Sequence, residues 1–185
     1  LQRVVIDGSQ ASYMALKTAN RKRYTASDRA CPVKQTGLEP ALSPFVHVIM
    51  QLEDLVLAEH GLAGAGYVRF EHNGGEGLGF PYIRSSLDRF CEALDRSFAF
   101  MPRDNGSLRF LEVGCGLGTK CEIARLKGFE ATGIELDSRY VNLARRLFSA
   151  NRFLEANALE HDYGNQDLIY YHTPLASEVL MVELE

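Results

Sequence analysis

The chain has no apolar run near the roughly 18 to 20 residues that a membrane-spanning helix needs, and its opening LQRVVIDGSQ lacks the apolar core of a secretory signal. Both absences point to a soluble, cytoplasmic protein with no membrane partner. Cysteine is scarce and poorly spaced for metal: Cys31, Cys91, Cys115 and Cys121 form no C-x-x-C pair and have no histidine at zinc-ligand spacing. That excludes the common zinc modules, so free thiols and no metal are expected. The chain before Leu108 reads as mainly helical and also has no internal repeat or low-complexity tract.

Positive charge is short outside one end. Residues 1 to 40 carry seven Lys or Arg and three Asp or Glu, whereas the other 145 carry thirteen and twenty-one, for a net charge of −4. The densest basic run, Arg21-Lys22-Arg23-Tyr24, is too short to make a nucleic-acid surface, and the acidic remainder would repel a polyanion. Nucleic acid is therefore disfavoured, and the run reads as a solvated face. A hydrophobic content of 46% in 185 residues suits one globular domain with an appendage.

The informative stretch is LEVGCGLGTK, Leu111 to Lys120. Leu108 to Val113 is short and mostly apolar, as a buried parallel strand should be, and runs into Gly114-Cys115-Gly116-Leu117-Gly118 and then a helix. Glycine there accepts positive φ and lets a ligand approach the backbone near a helix N-terminus. A second apolar strand, Phe129 to Ile134, ends in Glu135, about twenty residues beyond the first glycine, where an acid can accept both hydroxyls of a ribose. A dinucleotide fingerprint would need its third glycine at Thr119. Glu112 is also unfavourable beside a pyrophosphate but suited to a cationic amine, directly or through water. S-adenosylmethionine (SAM) meets both demands: it has a ribose, an ammonium and no phosphate.

On these residues the segment from Leu108 to Leu175 resembles the cofactor half of class I SAM-dependent methyltransferases. LEVGCGLGTK resembles the first motif, GIELDSRYVNLAR the second, and EANALEHDYGNQDLIYYHTPL the third and fourth. The resemblance implies an α/β fold: a Rossmann-like, open, mostly parallel sheet flanked by helices over residues 106–185, with a helical amino-terminal cap and a glycine-rich loop over residues 1–105. It implies that Glu112, Gly114, Cys115, Gly116 and Gly118 surround the methionine part, Glu135 and Leu136 the ribose and adenine, and Asn157 with Ala158 the adenine edge. Asn157 stands where many members have aspartate, and its carbonyl can still accept from the adenine amine.

Upstream, Asp7 to Ala19 has a weak helical pattern, and Ala26 to Pro44 reads as a linker. Phe45 to His60 is expected as a helix whose face is Phe45, Val48, Ile49, Leu52, Leu55 and Val56, with Gly61 as a stop. His47 and His60 lie thirteen positions apart on it, too far to share a ligand. Tyr67 to His72 begins a hairpin that turns at Asn73-Gly74-Gly75. Ser85-Ser86-Leu87-Asp88 opens a helix with Leu87, Phe90, Cys91, Leu94 and Phe98 on one face, closed by Pro102 and Asn105-Gly106. Phe80-Pro81-Tyr82 matches the aromatic loop that covers the cofactor in many members, or else a surface loop with its rings in the core.

The strand Asp167 to Tyr171 delivers His172-Thr173-Pro174 to the carboxyl rim of the sheet. HTPL departs from the Asn/Asp-Pro-Pro-aromatic motif of amino-methyltransferases, so N-methylation does not carry over. His172 is the candidate general base, with a structural role as the alternative; His161, Asp162, Tyr170 and Tyr171 are weaker candidates. The acceptor is expected to be a small molecule or a protein side chain. Competing functions are a non-catalytic SAM-binding partner subunit and a NAD(P)-dependent oxidoreductase. Finally, Val179 to Val182 looks like a fifth strand, yet only Leu175 to Glu178 separate it from HTP, against the dozen residues a parallel crossover needs. The expectation is that residues are missing there and after Glu185, or that the run pairs elsewhere or in a homodimer.

Overall fold

The computed structural model describes residues 3–7, 12–17, 20–24, 39–62, 66, 68–72, 74–79, 82–101 and 107–175. Along the chain run β1 (Arg3–Asp7), β2 (Ser12–Lys17), β3 (Asn20–Tyr24), α1 (Glu39–Glu59), β4 (Val68–His72), β5 (Gly75–Gly79), α2 (Leu87–Ser97), β6 (Leu108–Val113), α3 (Thr119–Leu126), β7 (Phe129–Glu135), α4 (Ser138–Leu147), β8 (Arg152–Glu155) and β9 (Leu168–Tyr171). Seven strands form one sheet in the order β3-β2-β1-β9-β6-β7-β8. β1, β9, β6, β7 and β8 are mutually parallel, while β2 runs antiparallel to β1 and β3 to β2. This is the Rossmann-like open, mostly parallel sheet.

Burial on both faces explains why β6 and β9 are central. Phe110 and Leu168 pack with Phe90 and Leu94 of α2 and Ile123 of α3 in one core, and Leu111, Val113, Ile169 and Tyr171 make a second core on the other face. α4 starts at a side-chain cap: Asp137 accepts from the Arg139 N–H at 2.9 Å, and Tyr140, Val141 and Ala144 turn inward. Ser86 caps α2 in the same way. The chain leaves β6 toward β7 on one side and returns from β8 to β9 on the other. The strand order therefore reverses between β6 and β9, which opens a crevice beyond their carboxyl ends.

Three expectations are corrected. The described part of the Asp7 to Ala19 span, Asp7 and Ser12–Lys17, is strand rather than helix, because Val4, Val5 and Ile6 find the open edge of β9: Val4 and Ile6 join the first core and Val5 the second. Three apolar residues buried on both faces of the strand outweigh a weak helical pattern, and Ser12–Lys17 then pairs back on it. Arg3–Asp7, Ser12–Lys17 and Asn20–Tyr24 thus belong to the sheet rather than to a helical cap, and β1 holds the place beside β9 that a strand following HTP would take. α1 also begins at Glu39, inside the expected linker, with Pro40 in its first turn, where a missing N–H costs nothing. Its buried face is Val46, Ile49, Glu53, Val56 and Leu57, leaving Phe45, Val48 and Leu55 exposed. The Val179–Val182 run, Phe80–Pro81, Asn73, Cys31, Pro102 and Asn105–Gly106 lie outside the described residues. No helix among those described is long and apolar enough to cross a membrane.

Candidate functional site

The crevice is walled by the ends of β6 and β7, the loop after β9, and the β4–β5 hairpin. Glu112, Gly114 and Cys115 form its floor; Ile134, Glu135, Leu136 and Asp137 one side; His172, Thr173 and Pro174 the other; Val68, Phe70 and Tyr82 the cover. The hairpin is tied to the far rim by an antiparallel bridge between Gly79 and Leu175. It thereby spans the opening.

Glu135 is held by the backbone. Its Oε2 accepts from the Gly116 N–H at 3.0 Å, and its Oε1 from Leu136 and Asp137 at 2.7 and 3.1 Å. Burial raises its pKa, and these three donors oppose the rise. A carboxylate has about four acceptor sites, so one remains. One ribose hydroxyl fits this arrangement unchanged; a second requires a backbone donor, such as Gly116, to let go.

Glu112 is 1% exposed and paired: Lys120 Nζ donates to its Oε1 at 2.9 Å, and the Cys121 thiol lies 3.4 Å from Oε2. Burial works against the Lys120 charge, but Glu112, with Tyr170 and Glu53 beyond it, holds the ammonium above the usual lysine range. Lys120 is second in the helix after the glycine turn and closes the LEVGCGLGTK stretch, but the resemblance gave it no role. Its spacing of eight from Glu112, strand end to helix start, is the sequence clue to the pair.

Glu53 was missed for the opposite reason. It lies on the buried stripe of α1, where an acid among apolar positions marks a specific partner. Its Oε1 accepts from Tyr82 Oη at 2.8 Å and Thr119 Oγ1 at 2.6 Å, and Arg84 Nε lies 3.0 Å from Oε2. Tyr82 is stacked on Tyr140 with centroids 5.4 Å apart. Burial and the Glu53 charge raise the Tyr82 pKa, so it remains a phenol. Its ring covers Gly116, where an added Cβ would meet Tyr82 Cε2 at 2.3 Å with φ at +51°.

Of the residues expected at the cofactor, Glu112, Gly114, Cys115, Glu135, Leu136, Asn157 and Ala158 line one crevice, and so does His172. Gly116 and Gly118 do not; they serve the turn, with Gly118 backed by Phe153. Asn157 Oδ1 already caps a short 3₁₀ turn by accepting from Leu159 N at 3.1 Å, which leaves the carbonyl one further site. Next to His172, the β-branched Thr173 holds a φ of +41°, a conformation such residues adopt only under constraint. His161 stacks edge-on with Tyr163, and Tyr170 and Tyr171 are buried in opposite cores, away from the opening.

Similarity to solved structures was found over part of the chain. The likeness is to SAM-dependent methyltransferases. A SAM-bound amino pentose methyltransferase from Micromonospora echinaspora is 26% identical over 48% of this chain and 36% of its own, with a TM-score of 0.41. A TehB-like SAM-dependent methyltransferase from Corynebacterium glutamicum is 22% identical over 47% and 45%, at 0.36. A tRNA (uracil-54, C5)-methyltransferase from Pyrococcus abyssi, in complex with S-adenosylhomocysteine, is 16% identical over 57% and 27%, at 0.37. The matches thus span less than half the length of these methyltransferases. No family model and no curated protein matches the chain.

Proposed function

We propose that the chain is a class I SAM-dependent methyltransferase acting on a small molecule or a protein side chain. Glu135 carries this reading: a backbone-oriented carboxylate at the end of β7, with an acceptor site to spare, is suited to a ribose hydroxyl. The rest of the crevice fits the same group. Glu112, Glu135 and Asp137 against Lys120 leave a net of two negative charges among the described lining residues, hostile to a pyrophosphate and favourable to a cation. Ile134, Leu136, Ala156 and Ala158 provide the apolar surface that an adenine needs.

When bound, SAM supplies a methyl group made electrophilic by its sulfonium. The residues of this chain then bind and align. Glu135 orients the ribose; the hairpin, with Val68 and Phe70, keeps water out; and the constrained His172-Thr173-Pro174 rim sets the acceptor's approach. His172 stands on that rim as the group suited to taking an acceptor proton near neutral pH. A thermal-shift assay with SAM and NAD added separately tests the reading. Stabilisation by SAM alone is expected; stabilisation by NAD alone overturns it.

A further inference from the structure

Among the described residues, the charges that line the crevice all come from residues 112–137, and each already has a partner. Lys120 and Glu112 hold each other at 2.9 Å, Glu135 accepts from three backbone N–H groups, and Asp137 accepts from the Arg139 backbone and side chain. The cover and the opposite side carry no charge among the described residues. Strand alternation arranges this in the hairpin: Val68 and Phe70 line the crevice, while Glu71 and the Arg69–Glu76 pair, joined at 2.7 Å, stand in solvent. At the mouth Ile83 is 48% exposed, and the next residue, Arg84, turns away to Glu53 and Asp54. Pro174 and Leu175 continue the apolar surface along the rim. The titratable side chains described on these two walls are Tyr82, whose hydroxyl donates to Glu53 at 2.8 Å, and His172. An unpaired charge moved out of water onto such a surface is costly, so an acceptor bearing a carboxylate, a phosphate or an ammonium finds no counter-ion there. A neutral acceptor escapes that penalty and gains from burying its apolar body. Histidine also sets the acidity of the reacting group: an imidazole of pKa about 6.5 takes a proton far more readily from a phenol of pKa about 10 than from an aliphatic alcohol.

Building on the methyltransferase reading above, we propose that the acceptor is a neutral aromatic small molecule with a phenolic hydroxyl, its ring against Ile83, Pro174 and Leu175 and its hydroxyl toward His172. Methylation there forms an O–CH3 bond from an oxygen lone pair as the S–CH3 bond breaks with its electrons left on sulfur, and the hydroxyl proton passes to His172. Ile83 is the selecting residue, since it holds the position at the mouth where an acid or a base would impose a charge preference.

Calorimetric titration of the full chain, saturated with S-adenosylhomocysteine near neutral pH, with 2-naphthol, 2-naphthoate and 2-naphthylmethylammonium tests this. The three probes share one ring system and differ in charge. Wild type should bind 2-naphthol at least about tenfold more tightly than either charged probe, the scale of one unpaired charge taken from water. Ile83→Lys should bring 2-naphthoate to within about threefold of 2-naphthol, and Ile83→Glu should do the same for the ammonium probe. The wild-type ratios decide the acceptor class even if a variant fails to fold. A charged probe bound by wild type as tightly as 2-naphthol, or no binding of any of the three while S-adenosylhomocysteine binds, overturns the acceptor class and leaves the cofactor reading intact. Unchanged ratios in both folded variants overturn the role of Ile83. Failure of wild type to bind S-adenosylhomocysteine overturns both readings.

Discussion

Replacing Lys120 by Met strands a carboxylate that is 1% exposed, and the size of the consequence follows from that. Breaking a buried pair by removing one partner costs about 3 to 5 kcal/mol, much of the stability of an ordinary domain. With a urea m-value of about 2 kcal/mol/M, the unfolding midpoint should drop by about 2 M. The sign of the pH dependence is also determined. Burial already raises the Glu112 pKa and Lys120 opposes it, so losing Lys120 raises it further. The folded variant then holds a proton that the unfolded chain releases above the ordinary glutamate range. Its stability therefore falls as pH rises through that window, by up to about 1.4 kcal/mol per unit. Urea melts at pH 6 and pH 8 should show the variant much closer to wild type at pH 6. Glu112→Met/Lys120→Met, with no buried charge left, should recover most of the loss at both pH values. A shift under about 0.5 M in Lys120→Met, equal at the two pH values, would refute the buried-pair argument. A double variant as unstable as the single one would assign the cost to the packing of the lysine stem instead.

Gly116→Ala should destabilise by at least about 2 kcal/mol, combining the penalty for a Cβ at positive φ with the clash against Tyr82; in a Tyr82→Ala background only the backbone part, about 1 to 2 kcal/mol, should remain in denaturant melts. Glu122 has its pKa lowered by Arg125 and then Asn151, so it stabilises the fold above the ordinary glutamate value and loses that effect as pH falls through the lowered one. Glu122→Gln should accordingly flatten the acid limb of the melting-temperature profile between about pH 3 and 5. Burial raises the Cys115 and Cys121 thiols well above their usual range, so mass-mapped alkylation at pH 8 should leave both unlabelled until the chain is unfolded.

The half of the fold after Leu108 was legible because its signals are local: an apolar strand, a glycine turn, and an acid at the next strand's end. The strands from residues 3–24 were not, since Val4 to Ile6 become a strand only by pairing with β9, some 160 residues away, and pairing at that distance leaves no local pattern. The α1 helix was visible but its face was rotated, because Glu53 belongs inside for the sake of Tyr82 and Thr119. Similarly, spacing singled out Glu112 and Glu135, both of which line the crevice. That each already has partners in the folded chain, Lys120 for one and three backbone donors for the other, could not be read from it.

Calorimetric titration of S-adenosylhomocysteine into wild type and Glu135→Ala, with circular dichroism confirming that the variant is folded, bears most directly on the crevice as an adenosyl site. Saturable one-to-one binding to wild type, weakened about tenfold or more by loss of the carboxylate, is the predicted result. Equal affinity of the two proteins, or no heat with either, would contradict it.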